Sequence, residues 1–144
     1  MRNFINIRPD LFPESCPPLP IHCVIHFQVD TKKYIALGGR RFGRGNEHTI
    51  ALCVYENNKI NVQRFLKNKH IGNITDMTYY YNDQNDTVLV SACEHQKITL
   101  WNINRKECSN EYFSEYYIWG KITSIDTYYN NYDNCHRIIV SSQD

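Results

Sequence analysis

The sequence predicts an all-β fold of repeated four-stranded antiparallel sheets, with about two and a half sheets in its 144 residues. Three observations indicate this fold. Short runs that alternate apolar and polar residues follow one another with turn residues between them, as half-buried strands do. The pattern recurs, since Ile50 and Ile98 are 48 positions apart, as are Ile74 and Ile122. No stretch has the apolar stripe of period 3.6 that an amphipathic helix requires.

The first 20 residues are predicted to be an extended N-terminal arm. All five prolines of the chain lie between Pro9 and Pro20, and proline both fixes φ and removes a backbone donor. Within the arm only Phe4–Ile7 alternates like a strand, so this piece is a candidate for the outer strand of a final sheet. Residues 21–144 are predicted to form one domain.

The domain divides into three copies, at about residues 21–65, 74–118 and 122–144, the last of them incomplete. Alternation predicts ten strands. In chain order these are Ile21–Phe27, Tyr34–Leu37 (ended by Gly38 and Gly39), Thr49–Tyr55, Ile60–Phe65 (after an Asn57-Asn58 turn), Ile74–Tyr81, Thr87–Ala92, Lys97–Ile103, Tyr112–Ile118, Ile122–Ile125 and Arg137–Ser142.

The stretch from Ser91 to Trp101 is the most informative part of the chain. It predicts a strand end, a tight polar turn and a strand with bulky residues on both faces, Ile98 and Leu100 on one and Trp101 on the other. A strand that is apolar on both sides belongs to a sheet that is covered on both sides.

The order of residues from Ser91 to Trp101 resembles the core of a WD repeat, the unit of the WD-repeat β-propellers. Upstream, His70 followed by Ile74, Met77 and Tyr79 is similar to the start of the same unit. The 48-residue period is close to the roughly 40–45 residues typical of this repeat. The resemblance covers about residues 21–144 and implies propeller blades, which serve as scaffolds for protein–protein interaction.

The resemblance also implies a buried hydrogen-bond network that fixes the blade. Its members would be His70, Ser91, His95 and Trp101, with Asp144 at the corresponding turn of the third copy. The family usually has Asp where this chain has His95. A neutral imidazole offers one donor and one acceptor, whereas a carboxylate offers acceptors only, so His95 changes the hydrogen bonds available at this position of the network.

Two and a half blades are too few for a closed ring, because propellers usually have about four to eight. The chain is therefore expected to be part of a larger propeller. Three explanations remain open: a truncated chain, further chains or a partner that complete the ring, or a small open β-fold.

Composition limits the classes of partner. With a formal net charge of +1 the chain has no overall attraction to nucleic acid or to an anionic membrane. Neither a membrane-spanning apolar run nor a signal peptide is evident, so an intracellular location is expected, in nucleus or cytoplasm. The six cysteines are scattered, which favours reduced, packed thiols.

The loop with Arg40, Arg41 and Arg44 is the one candidate for an anionic ligand. Three guanidinium groups between glycines suit phosphate or carboxylate, so a module that binds a phospholipid head group or RNA is the alternative function. A solvated loop is the simpler interpretation, and an acidic protein partner is a third.

Other candidate chemistry is weaker. Cys16, His22, Cys23 and His26 are potential zinc ligands, but on a strand Cys23 points away from the two histidines. No nucleophile, base and orienting group can be assembled, so neither catalysis nor a metal or cofactor is expected. The tyrosines, grouped at strand ends and loops, are a better lead because tyrosine is favoured in protein interfaces. The expected function is a non-enzymatic interaction scaffold, a subunit or part of a multiprotein complex.

Overall fold

The computed structural model describes residues 21–42, 48–67, 70, 72–104 and 112–143, with the backbone alone at 40–42, 48–49, 67 and 112–113. These residues form ten strands and no helix, so the fold is all-β. None of the described segments is a helix that could cross a membrane. The strands are β1 (Ile21–Val29), β2 (Lys32–Phe42), β3 (His48–Glu56), β4 (Lys59–Lys67), β5 (Ile74–Tyr81), β6 (Thr87–Cys93), β7 (Lys97–Asn102), β8 (Tyr112–Tyr117), β9 (Lys121–Asn130) and β10 (Cys135–Gln143).

The described strands form three antiparallel sheets, in which each strand pairs with its neighbour along the chain. The first sheet has the order β1-β2-β3-β4, the second β5-β6-β7-β8 and the third β10-β9. Antiparallel neighbours need only short connections, which is why turns can join most of these strands. The predicted all-β class and the predicted antiparallel sheets are confirmed.

Tight turns with left-handed residues set the pairing of the strands. Asn57 and Asn58 both have positive φ, at 53° and 60°, and join β3 to β4 with Glu56 opposite Lys59. Two central residues with positive φ are the signature of a type I′ hairpin, as the Asn-Asn pair predicted. Asp30 and Asn134 take the same backbone conformation in the β1–β2 and β9–β10 turns.

Strand β2 is longer than the sequence predicted, because it continues through Gly38 and Gly39 to Phe42. A Cβ atom on Gly38 would lie 2.8 Å from Sγ of Cys23 and 2.8 Å from Cγ2 of Ile74. The glycine at this position is therefore required by the close approach of β1 and β5, and its interpretation as a strand terminator is wrong.

The second sheet is buried on both of its faces. One face packs on the first sheet through Leu89 and Trp101, and the other packs on the third sheet through Val90 and Leu100. Every residue of β6 and β7 is buried as a result. This confirms the prediction that the strand ending at Trp101 lies in a sheet covered on both sides.

Polar contacts cross from sheet to sheet beside these apolar cores. The Tyr81 hydroxyl donates to the Gln28 carbonyl at 3.1 Å, which links the second sheet to the first. On the other side, Oδ2 of Asp76 accepts from the backbone N–H of Ile125 at 2.9 Å, and the Thr127 hydroxyl donates to the carbonyl of Tyr79 at 3.0 Å. Strands β5 and β9 are thus joined by side chain to backbone bonds where no sheet pairing exists.

Candidate functional site

A buried polar cluster lies within the second sheet. The indole Nε1 of Trp101 on β7 donates to Oγ of Ser91 on β6 at 2.8 Å. The same Oγ lies 2.7 Å from Nε2 of His70, which precedes β5. The three side chains are 1%, 0% and 2% exposed, respectively. The structure thus brings together three of the residues that the WD-repeat resemblance assigned to one network.

The His70 imidazole is neutral at physiological pH. Burial, and after it the positive charge of Lys97, lower the pKa of His70 from 6.5 to about 3. Trp101 can only donate, so Ser91 Oγ accepts from the indole. The single hydroxyl hydrogen of Ser91 then goes either to His70 Nε2 or to the Thr99 carbonyl, which is 3.4 Å away.

A serine hydroxyl next to a neutral imidazole is the pairing of a nucleophile with a general base. Here it is enclosed, since neither Ser91 nor His70 has more than 2% of its surface exposed. A substrate cannot reach the hydroxyl without opening the sheet. The cluster is thus arranged to hold β6, β7 and the segment before β5 together.

His95 lies outside this cluster. Its side chain is 58% exposed, and its Nε2 is 4.0 Å from Oε1 of Glu94. Glu94 instead anchors the β6–β7 turn, because its Oε1 accepts from the N–H of Asn73 at 3.2 Å and its own N–H donates to the Asn73 carbonyl at 3.1 Å. Glu94 is not among the residues that the WD-repeat resemblance implies for the network. The available signal was a carboxylate one residue before the place where the family has Asp.

The second sheet also contains a buried ion pair that the sequence did not predict. Lys97 on β7 forms an ion pair with Glu115 on β8 at 2.6 Å, with the lysine side chain 8% exposed. The ammonium is also 5.8 Å from the centre of the Tyr117 ring, within the range of a cation–π contact. This pair fixes the outer strand of the second sheet to its neighbour.

The predicted arginine loop is only partly within the described residues. Arg40 and Arg41 belong to the end of β2, where the backbone alone is described, and Arg44 lies outside the described residues, as does Asp144. Anionic-ligand binding by this loop stays a prediction.

The potential zinc ligands are separated by the strand geometry. Cys16 lies outside the described residues, while His22 and His26 are exposed on one face of β1 and Cys23 is half-buried on the other. The described residues contain no group of three or more His, Cys, Asp or Glu side chains that could hold a metal.

Of the cysteines in the described part, Cys23, Cys93 and Cys135 carry free thiols, and Cys53 is buried in β3. Burial, and after it the negative charge of Asp76, raise the pKa of Cys23 to about 12. The thiolate is the reactive form of cysteine, so Cys23 is a poor nucleophile at neutral pH.

A cleft of about 460 Å³ opens between the first and second sheets, at the end that carries the β1–β2 turn. Its lining combines the polar residues Lys32, Gln63, Arg64 and Asn104 with apolar groups such as Val29. Arg64 crosses this cleft, because its Nη2 donates to the carbonyl of Ile103 at 2.9 Å. The guanidinium therefore joins the two sheets at the cleft wall.

Large aromatic side chains are exposed on the described surface. Trp119, between β8 and β9, is 89% exposed, and the sequence analysis did not single it out. The tyrosines that the sequence analysis grouped as an interface lead include several with more than 40% exposure. They are Tyr81, Tyr116, Tyr117, Tyr128, Tyr129 and Tyr132.

Neither models of known protein families nor a search of curated proteins gives a match to this chain. The function must therefore be inferred from the geometry of the described residues. That geometry combines an enclosed polar cluster, which reactants cannot enter, with exposed aromatic side chains that another molecule can contact.

Proposed function

We propose that this chain is a non-enzymatic scaffold for protein–protein interaction, built from blades of the WD-repeat β-propeller type. The observation that supports this most is the cluster of His70, Ser91 and Trp101. These residues occupy the positions that the WD-repeat pattern gives to the polar network of a blade. The three residues are far apart in the sequence and contact one another in the structure, as the WD-repeat pattern requires. This is a more specific indication of the blade type than the content of β-strands.

The packing of the sheets supports the same proposal. Each of the first two sheets is a four-stranded antiparallel meander, as a propeller blade is. Strand β5 contacts β1 on one side and β9 on the other, so the first strands of the three sheets lie next to one another. In a propeller the first strands of successive blades are neighbours around the central axis.

A scaffold role follows from what the described surface offers. The serine and histidine that could form a catalytic pair are buried, whereas tyrosine and tryptophan side chains are exposed. Aromatic side chains are over-represented in protein interfaces because they bury a large area with few rotatable bonds. The described part of the chain forms three sheets, fewer than the four to eight blades of usual propellers, so the proposal includes further blades or a partner chain.

Affinity purification of the full chain from the cells that produce it tests this function. We expect the chain to elute from a sizing column in a complex well above its own 17.1 kDa, with one or more partners in fixed ratio. The triple variant Arg40→Ala, Arg41→Ala, Arg44→Ala should retain those partners. Elution as a lone chain would contradict the scaffold proposal, and loss of the complex in the triple variant would move the function to the arginine loop.

A further inference from the structure

The first sheet is buried on both of its faces, although only one of them packs on another described sheet. Its inner face packs on the second sheet. The opposite face, here named the outer face, carries a cluster of side chains that are each at most 3% exposed, namely Ile35, Leu37, Ala51, Cys53 and Ile60. The partly buried apolar side chains that pack against this cluster all belong to the first sheet itself, namely Ile21, Val62 and Phe65.

A bare sheet face is not buried to this degree, as two other positions of the molecule show. Ile139 points away from the second sheet, since its neighbours Ile138 and Val140 pack towards it, and Ile139 is 55% exposed. Val24 pairs directly with Leu37 and therefore lies on the same outer face, yet Val24 is 43% exposed and Leu37 is 1% exposed. The outer face is therefore covered over β2, β3 and β4, and the cover stops short of β1.

The loop of residues 43–47 is too polar and too distant to provide this cover. Its sequence is Gly-Arg-Gly-Asn-Glu, and it follows Phe42 at the end of β2. Ile35 and Ile60 lie towards the opposite end of the sheet, where the β3–β4 turn is. Ile35 precedes Phe42 by seven strand residues, which is about 23 Å at roughly 3.3 Å per residue. A short loop anchored at both ends does not extend that far.

The other short segments outside the described part are equally unsuited. Residues 105–111 connect strands of the second sheet, which packs on the inner face, and their side chains are charged or polar apart from Cys108. Positions 68, 69, 71 and 144 are too few to cover three strands. Residues 1–20, the N-terminal arm, are the segment that remains.

The arm has the composition, the attachment and the length that this cover needs. Ile21 directly follows the arm and packs on the outer face, so the chain enters β1 from that side. Twenty residues in extended form span about 60 Å, whereas β1 and β4 are about 15 Å apart. The prolines of the arm have no N–H, which reduces the number of donors left without partners on an apolar face. Its large apolar side chains are Phe4, Ile5, Ile7, Leu11, Phe12 and Leu19.

We propose that the N-terminal arm packs as an extended strap across β2, β3 and β4 and covers the outer face of the first sheet. The strap is intramolecular and does not depend on the scaffold function. It occupies the face on which a neighbouring blade would pack against the first sheet. A further blade or partner chain must therefore displace the arm or be added at another surface.

Photo-crosslinking of the full chain tests the position of the arm. With p-benzoylphenylalanine in place of Phe12, we expect crosslinks to residues of β2–β4, identified by mass spectrometry. A mixture of isotopically labelled and unlabelled chains separates contacts within one chain from contacts between copies. The same group in place of Tyr132, which is fully exposed in the β9–β10 turn, is the control and should give no crosslink to the first sheet. Crosslinks to the third sheet, or only between copies, would overturn the proposal.

Charges on the apolar part of the arm should release the strap. In the double variant Leu11→Asp, Phe12→Asp, the fluorescence of anilinonaphthalene sulfonate should rise several-fold, because this dye binds exposed apolar surface. A synthetic peptide of residues 1–20 should reverse the rise. Asn3→Asp with Asn6→Asp adds the same charge at polar positions of the arm and should leave the fluorescence unchanged.

Unchanged dye fluorescence in the Leu11→Asp, Phe12→Asp variant, or a rise that the peptide does not reverse, would equally overturn the strap. Both experiments use the purified chain alone. Their outcome is therefore independent of whether the chain enters a complex with other proteins, which is the test of the scaffold function.

Discussion

Among the described residues, Ser91 has an unusual concentration of polar contacts for a fully buried side chain. Its single oxygen accepts from Trp101 and contacts His70, which means that one small residue links β6, β7 and the segment before β5. Buried polar networks of this kind are costly when one member is removed, because the remaining groups lose their partners. Two predictions follow at the scale of these side chains.

Trp101→Ala is expected to lower the free energy of unfolding by about 3–5 kcal/mol, the usual range for a buried aromatic side chain. The substitution leaves a cavity in the core between the first two sheets and removes the indole bond to Ser91. Urea unfolding followed by circular dichroism measures the change. Tyr132→Ala provides the control, and a loss below about 1 kcal/mol for Trp101→Ala would show that the indole is not a core group.

Acidification should destabilise the chain through His70. Its pKa is about 3 when folded and 6.5 ordinarily, so between these values the unfolded chain binds the proton more readily. Stability is therefore fully present above about pH 6.5 and falls by up to about 1.4 kcal/mol per pH unit as pH decreases towards 3.

Unfolding free energies measured along this pH range check the prediction. His70→Gln should flatten the slope, because glutamine does not titrate, whereas the exposed control His95→Gln should keep it. An equal slope in wild type and His70→Gln would remove His70 from the pH dependence.

Some of the residues of the candidate site could be predicted from the sequence, and others could not. His70, Ser91 and Trp101 could be found because their spacing resembles that of a WD repeat. For Glu94 the sequence offered only a carboxylate in the turn, and which of two adjacent turn residues points back towards Asn73 is decided by the fold. The exposure of Trp119 depends on how the third sheet packs, and that is a property of the whole fold.

At the scale of strands and sheets, β5 and β9 belong to different sheets and are held together by hydrogen bonds from side chains to the backbone, not by strand pairing. Alternation predicted each strand, yet it placed the ends of β2 and β9 too early. Gly38 resembles a terminator in a sequence, but its role depends on the distance to β5. The residues of β9 after Ile125 are largely exposed and mostly polar or tyrosine. They therefore lack the apolar alternation that predicts a strand, and the predicted strand ended at Ile125.

Asp76→Ala should loosen the contact between β5 and β9, since it removes the acceptor of the Ile125 N–H. A buried donor left without its partner costs roughly 1–3 kcal/mol. Hydrogen exchange at the Ile125 amide should accelerate at least tenfold. Asp126→Ala is the matched control, because the Asp126 carboxylate accepts from the next residue and contacts solvent. Unchanged exchange in Asp76→Ala would mean that apolar packing alone holds the two strands.

Gly38→Ala tests the close packing of the first sheet against β5. The added methyl group would come within 2.8 Å of both Cys23 Sγ and Ile74 Cγ2, so β2 or these neighbouring side chains must shift. Overpacking of this kind costs about 1–3 kcal/mol. Thermal unfolding should show the loss, while Val24→Ala on the exposed face of β1 should change little. A neutral Gly38→Ala would place β1 and β5 further apart than described.

At the scale of the whole molecule, the second sheet belongs to both cores, so the three sheets should unfold together. Ile122→Ala truncates a buried side chain of the third sheet and should cost about 2–5 kcal/mol. The emission of Trp101, which reports the other core, should detect this loss in a Trp119→Phe background. A Trp101 transition unaffected by Ile122→Ala would mean that the sheets unfold as independent units.

The burial of the second sheet also limits which amino-acid substitutions this sequence can accept during evolution. Every residue of β6 and β7 is buried, so almost any substitution there carries a cost. In β1 and β10 alternate positions are at least partly exposed to solvent, so substitutions at these positions should cost little stability. Tolerance to substitution should therefore be uniformly low from Thr87 to Asn102, apart from the turn. In β1 and β10 it should alternate from one residue to the next. A repeat pattern should therefore be retained longest in a sheet that is covered on both faces, as the second sheet is.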